Sequence, residues 1–99
     1  MGRLEDAEVR AALGAGDLPG WTFDHDSIRK EFVFAGFRAA IGFIDRLADK
    51  AIESKHHPDI ENHYNRVTVS ITTHDEGGVT EADLALARAI ESVSEPPEA

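Results

Sequence analysis

The chain contains no cysteine, which closes disulfides, zinc fingers, iron–sulfur clusters and thiol catalysis to it. Basic residues are scarce. Ten Lys and Arg stand against nineteen Asp and Glu, a net charge of −9 at pH 7 with neutral histidines. A nucleic-acid binder carries a basic stripe to neutralise phosphates, so this acidic excess argues against DNA or RNA as a partner. It also repels an anionic membrane surface. No apolar run is long enough to span a bilayer, because Arg38, Asp45 and Arg46 interrupt the richest one. The opening MGRLEDAEVR has acids where a secretory leader has an apolar stretch. GxGxxG, the P-loop and the serine elbow are all missing. These absences lead to the expectation of a soluble, cytoplasmic protein.

What remains is a chain of 99 residues with ordinary globular proportions, 41% hydrophobic and 29% charged. One domain over residues 1–99 is the simplest reading, with a core at about 4–94 and a frayed tail at 95–99. A domain of this size buries only roughly 60–70% of its unfolded surface, so self-association would extend a modest core.

Periodicity supplies the elements. Residues 4–13 read as a short helix with Val9, Ala12 and Leu13 on one face and Gly14 and Gly16 as stop signals. WTFDH and SIRKEFVF read as two strands joined by a turn over Asp24–Ser27. From Gly36 to Lys55 the apolar residues recur at threes and fours. The spacing predicts a long helix burying Phe37, Ile41, Ile44, Ala48 and Ala51 or Ile52. Pro58 is expected to end it by forcing the preceding residue out of the α region. Residues 59–64 suggest a third strand, and 66–73 alternate cleanly, with Val67, Val69 and Ile71 on one side. After a loop over 74–79, Thr80 is the expected N-cap of a last helix bearing Leu86, Ile90 and Val93. The order α-β-β-α-β-β-α with short turns predicts an α+β domain, an antiparallel sheet with helices on one face.

Histidine is the main candidate for chemistry. There are five, four of them between positions 56 and 74. An imidazole titrates near neutrality and both gives and takes protons. His56 and His57 sit between a helix end and Pro58, where they serve either as caps or as site residues. His74 ends the best strand, where a rigid sheet meets an open loop. His63 reads as a surface residue and His25 as part of a turn. Asp83 reads as a first-turn acid favoured by the helix dipole, and its use in a site requires His74 or a ligand nearby. Trp21, the single tryptophan, alone reads as core. His56, His57, His63, His74, Asp59 and Glu61 could offer metal ligands. No HxH or HxxxH pair puts two imidazoles on one face of an element, so no metal site is expected.

The set His56-His57-Pro58, Tyr64-Asn65-Arg66-Val67, Thr73-His74 and Asp83 closely resembles the pterin-4a-carbinolamine dehydratase family, also known as the dimerisation cofactor of a homeodomain transcription factor. His74 follows His57 by seventeen residues and Asp83 follows His74 by nine, as in the family. Gly20-Trp21 and FVFAGFRAAIGFIDRLA resemble its strand and long helix, and the resemblance runs over about residues 4–94. The family commonly has an acid where this chain has Ile52, and Ile60 replaces a large aromatic of animal members.

The resemblance implies a four-stranded antiparallel sheet with three helices on one face. It implies dehydration of 4a-hydroxytetrahydropterin, the spent cofactor of aromatic amino acid hydroxylases, to quinonoid dihydropterin. No metal or further cofactor is required. By resemblance, His56 and His74 are the acid/base pair and His57 holds the pterin. Trp21, Pro58, Thr73, Asp75 and Asp83 lie at the binding site, with the backbone of Thr73 to Asp75 reading the ring edge. The resemblance further implies a homodimer or homotetramer and a functional link to a hydroxylase. The alternative is a non-catalytic protein-binding or assembly module on the same fold. Relatives specialised that way tend to lose the catalytic histidines, and here all three are present.

Overall fold

A computed structural model describes residues 2–94; the tail expected to fray, 95–99, lies outside the described residues. The strand β4 (Arg66–Ile71) is the one around which the sheet assembles. Its alternation is the sharpest in the chain, and Val67, Val69 and Ile71 are all buried. It pairs antiparallel with β2 (Ser27–Val33) on one side and β3 (Asp59–His63) on the other. The short β1 (Thr22–Asp24) completes the order β1-β2-β4-β3. The register sets Ile28 opposite Ile71 and Phe32 opposite Val67, so the two inner strands put their apolar residues on one face. Arg29, Glu31 and Val33 point the other way and are exposed.

Three helices, α1 (Asp6–Leu13), α2 (Phe37–Ser54) and α3 (Glu81–Ser92), complete the α+β domain in the expected order. The core joins Val9, Leu18, Phe43, Leu47, Leu84 and Ile90 to the inner face of the sheet. Phe43 is its centre, with ring centroids 4.7 Å from Phe32 and 5.0 Å from Phe34.

The buried stripe of α2 is only partly the expected one: Ala51 is buried and Ile44 packs against the core, as expected. Ala40, Phe43, Leu47 and Ala51 face the core, while Phe37, Ile41 and Ile52 are exposed. Apolar residues occupy more than half of this helix's circumference, so its period is legible but its phase is not. The packing of Phe43 on Phe32 and Phe34 sets that phase.

The end of α2 also differs from expectation. Lys55 takes a left-handed conformation, φ 58° and ψ 34°. Its N–H donates to the Ile52 carbonyl at 3.2 Å, and the His56 N–H donates to the Ala51 carbonyl at 3.1 Å. This pair of bonds is a Schellman ending. It closes the helix three residues before Pro58, so the proline is not the cause. A lysine bears a Cβ penalty in this region that glycine escapes. Lys55→Gly is expected to raise the denaturation midpoint, by up to about 1 kcal/mol of stability. A midpoint lowered in urea would show that the αL residue is not strained.

Candidate active site

The Schellman ending fixes His56 by its own backbone, because its N–H makes the closing bond. The histidine pair then leaves the helix end and runs into β3 at Asp59. On the other side of the site, β4 stops at Ile71, two residues short of the expected end. Thr73 turns back to pair with Gly78: its N–H donates to the Gly78 carbonyl at 3.0 Å and its carbonyl accepts from Gly78 at 3.3 Å. A single 3₁₀ turn, His74–Glu76, fills the pinched loop. Gly77 closes it at φ +75°, a conformation that favours glycine.

Asp83 joins the two sides. It is fully buried at the start of α3. Its Oδ2 accepts from the Thr73 hydroxyl and the Thr80 N–H, both at 2.8 Å. The Thr80 hydroxyl in turn accepts from the Ala82 N–H at 3.2 Å, as an N-cap should. Oδ1 is left for His56, whose Nε2 it meets in a short contact. A carboxylate only accepts, so Nε2 carries the proton in this pair, and Nδ1 has no partner among the described residues. One buried acid therefore caps a helix, ties down Thr73 and sets the tautomer of His56.

A cleft of about 280 Å³ opens between these segments, lined by Lys55, His56, His57, Thr72, Thr73, His74 and Asp75. Three imidazoles thus converge from the end of α2 and the end of β4. His56 is half-buried, while His57 and His74 are exposed. Among the described residues, no hydrogen bond to protein holds the ring of His57 or His74. One clamped imidazole and two exposed ones around a small cleft can donate a proton at one point and accept one at another.

The other expected site residues are placed differently. Thr73 lines the cleft, but its hydroxyl is committed to Asp83 and its backbone to Gly78 and Glu76. The N–H groups at the start of the 3₁₀ turn, of His74 and Asp75, have no partner among the described residues, as is usual for the first residues of a helical turn. Pro58 leads into β3 and does not line the cleft. Trp21 is not brought to the histidines. Its indole N–H donates to Glu91 Oε2 at 2.8 Å, where Lys30 also binds at 2.6 Å. Glu91 lies eight residues beyond Asp83, about 12 Å along α3. His63 is exposed on edge strand β3. Among the described residues, no three His, Asp or Glu side chains come together as a metal site.

The His56–Asp83 pairing was missed by sequence reasoning, which looked for His74 beside Asp83. The signal was present in Thr80-x-x-Asp83. That spacing turns the Asp83 carboxyl back toward the N-cap and hence toward the strand end that Thr73 occupies.

An α+β domain with a histidine-lined cleft at the meeting of a helix end and a strand end defines a class of site suited to general acid–base work. The sequence profile described as pterin 4 alpha carbinolamine dehydratase matches residues 2–93, and the chain belongs to that family. A relative from Thermomicrobium roseum, provisionally named a pterin-4-alpha-carbinolamine dehydratase, is 47% identical, covering 89% of this chain and 92% of its own length. A similarly named relative from Sulfolobus acidocaldarius is 36% identical over 92% of this chain and 98% of its own. The crystal structure of a transcriptional coactivator/pterin dehydratase from Brucella melitensis superposes with a TM-score of 0.89 at 38% identity, covering 95% of this chain and all of that one. A pterin dehydratase-like RuBisCO assembly factor of the alpha-carboxysome shares the fold, with a TM-score of 0.63 at 21% identity.

Proposed function

We propose that this protein dehydrates 4a-hydroxytetrahydropterin to quinonoid dihydropterin by histidine general acid–base catalysis. The observation that carries the reading is the convergence of His56, His57 and His74 on one cleft. The substrate's C4a bears a hydroxyl beside N5–H. In the elimination, an imidazolium gives its proton to the hydroxyl, the C4a–O bond breaks and water leaves. The second imidazole takes the N5 proton, and the electron pair of that N–H becomes the C4a=N5 bond. The two rings exchange protonation states and reset through solvent, so no redox equivalent is consumed. His56 and His74 are the acid/base pair and His57 holds the ring. The Asp83 contact orients His56, and the open N–H groups of His74 and Asp75 suit a polar ring edge.

The test is the reaction itself. The 4a-hydroxytetrahydropterin is generated with an aromatic amino acid hydroxylase and its decay followed optically. Faster decay at catalytic protein concentrations is expected. Decay at the uncatalysed rate, with protein shown to be folded, would leave the fold as a binding or assembly module. The link to a hydroxylase in the cell is part of the same proposal. The cytoplasm as its location rests on the sequence alone.

The same reading includes a homodimer or homotetramer. Phe37, Ile41 and Ile52 on α2 are 53%, 43% and 65% exposed. Apolar side chains in such a group are the usual mark of a contact surface. Sedimentation equilibrium is expected to give an oligomer, and Ile41→Glu a smaller species. A wild-type monomer at micromolar concentration would refute it.

A further inference from the structure

Asp83 meets His56 through Oδ1, and its other oxygen is held by two threonines. The hydroxyl oxygens of Thr73 and Thr80 lie 2.9 Å apart, and each has one proton to give. With Thr80 donating to Thr73 and Thr73 donating to Asp83 Oδ2, the two contacts are 2.9 and 2.8 Å. With Thr80 aimed at Oδ2 instead, its proton must span 3.4 Å. An O–H bond is best at about 2.7–2.8 Å, so the first arrangement prevails. The Ala82 N–H enters the Thr80 oxygen at 3.2 Å and leaves that proton free for Thr73. A line of donors thus runs from the first turn of α3 through Thr80 and Thr73 to Asp83. A hydroxyl that accepts a bond becomes a stronger donor, so the last link is reinforced by the ones before it.

Thr73 lines the histidine cleft, yet its hydroxyl proton is committed to Asp83 and not to the cleft. Asp83 is fully buried and Thr80 is 5% exposed, so bulk water offers these groups no substitute. Two donors meet Oδ2, the Thr73 hydroxyl from the strand end and the Thr80 N–H from the helix start. One bond there would be a pivot. Two from different segments are a clamp, and they leave Oδ1 facing His56. We propose that Thr73 is a positioning residue of the reaction: its hydroxyl holds the Asp83 carboxylate in the orientation that keeps the His56 ring in place. This rests on the dehydratase reading of the cleft. The tie between Asp83 and Thr73 therefore works in both directions, the acid anchoring the strand end and the threonine aiming the acid.

The test removes the hydroxyl and keeps the shape. Valine is branched like threonine and suits the extended backbone of Thr73, φ −108° and ψ 97°. The bridge to Gly78 is made by the backbone and stays. Thr73→Val is expected to lower kcat by about ten- to a hundredfold, the worth of a hydrogen bond to a charged group, with KM little moved. Thr73→Ser restores the proton and is expected to come within about threefold of the wild type. In an Asp83→Asn background, Thr73→Val is expected to lower kcat by less than about twofold more, because both changes break the same link. A loss in KM rather than kcat, or a full loss that persists beside Asp83→Asn, would make Thr73 a substrate contact and overturn the proposal. A serine variant no better than the valine would overturn it too. Proton NMR reads the same link without turnover. The His56 ring N–H is expected as a resonance downfield of the amides, identified by its loss in His56→Ala. It is expected to move or vanish in Thr73→Val and to stay in Thr73→Ser. If the wild type turns over no 4a-hydroxytetrahydropterin, the dehydratase reading fails, and this resonance alone decides whether Thr73 holds His56 through Asp83. Moved in the valine variant, it supports that hold, and unmoved it overturns it.

Discussion

His74→Ala is expected to leave the domain folded and to lower kcat by roughly 10²–10⁴-fold, the usual worth of one acid–base group. The two halves of this expectation come from different observations. His74 is exposed, and among the described residues no hydrogen bond to protein holds its ring. The loop that carries it is closed by the Thr73–Gly78 bridge and the left-handed Gly77, and the imidazole takes no part in that closure. Truncating such a side chain changes stability by no more than about 0.5 kcal/mol. A thermal melt matching the wild type, together with the collapsed rate, is the expected pair of results. A wild-type rate in this variant would remove His74 from the chemistry and with it the two-histidine elimination.

Asp83→Ala is expected to damage fold and activity together. The side chain is fully buried and takes hydrogen bonds from Thr73, Thr80 and His56. Its removal strands those donors in the interior and takes away a helix cap, at about 2–5 kcal/mol. A low rate in that variant alone would not distinguish a structural from a positioning role. Asp83→Asn does so. The amide keeps the size and one acceptor for the Thr80 N–H, so a loss near 1 kcal/mol is expected. It does not hold the His56 tautomer as a carboxylate does, so kcat is expected to fall at least about 100-fold with KM little moved. Denaturant melts and steady-state kinetics on the two variants are the measurement. An Asn variant with wild-type kcat would make Asp83 a cap and nothing more.

The elements were legible where the pattern was local. β4 could be read from Val67, Val69 and Ile71 because strict alternation has no helical counterpart. Thr80 could be read as an N-cap from the residues around it. The face of α2 could not, because Phe37 and Ile41 are as apolar as Ala40 and Phe43 and only the packed neighbours decide between them. The stop of that helix was assigned to Pro58, since the left-handed turn at Lys55 has no signal in a lysine. In the candidate site, the three histidines were named from the chain. Their arrangement was not, because His56 meets Asp83 across 27 residues and through a capping geometry. Trp21 shows the converse limit. Its place in the family pattern suggested the site, and its indole hydrogen bond instead puts it at the far end of α3.

The hydrogen bond of Trp21 to Glu91, which Lys30 also binds, has a practical consequence. The chain has one tryptophan, and it is 5% exposed. Its fluorescence is therefore an internal gauge of whether α3 is docked on the sheet. Denaturation wets the indole and shifts its emission to the red, in every variant of the three histidines alike. Loss of turnover with unshifted emission separates damaged chemistry from a damaged fold in a single cuvette.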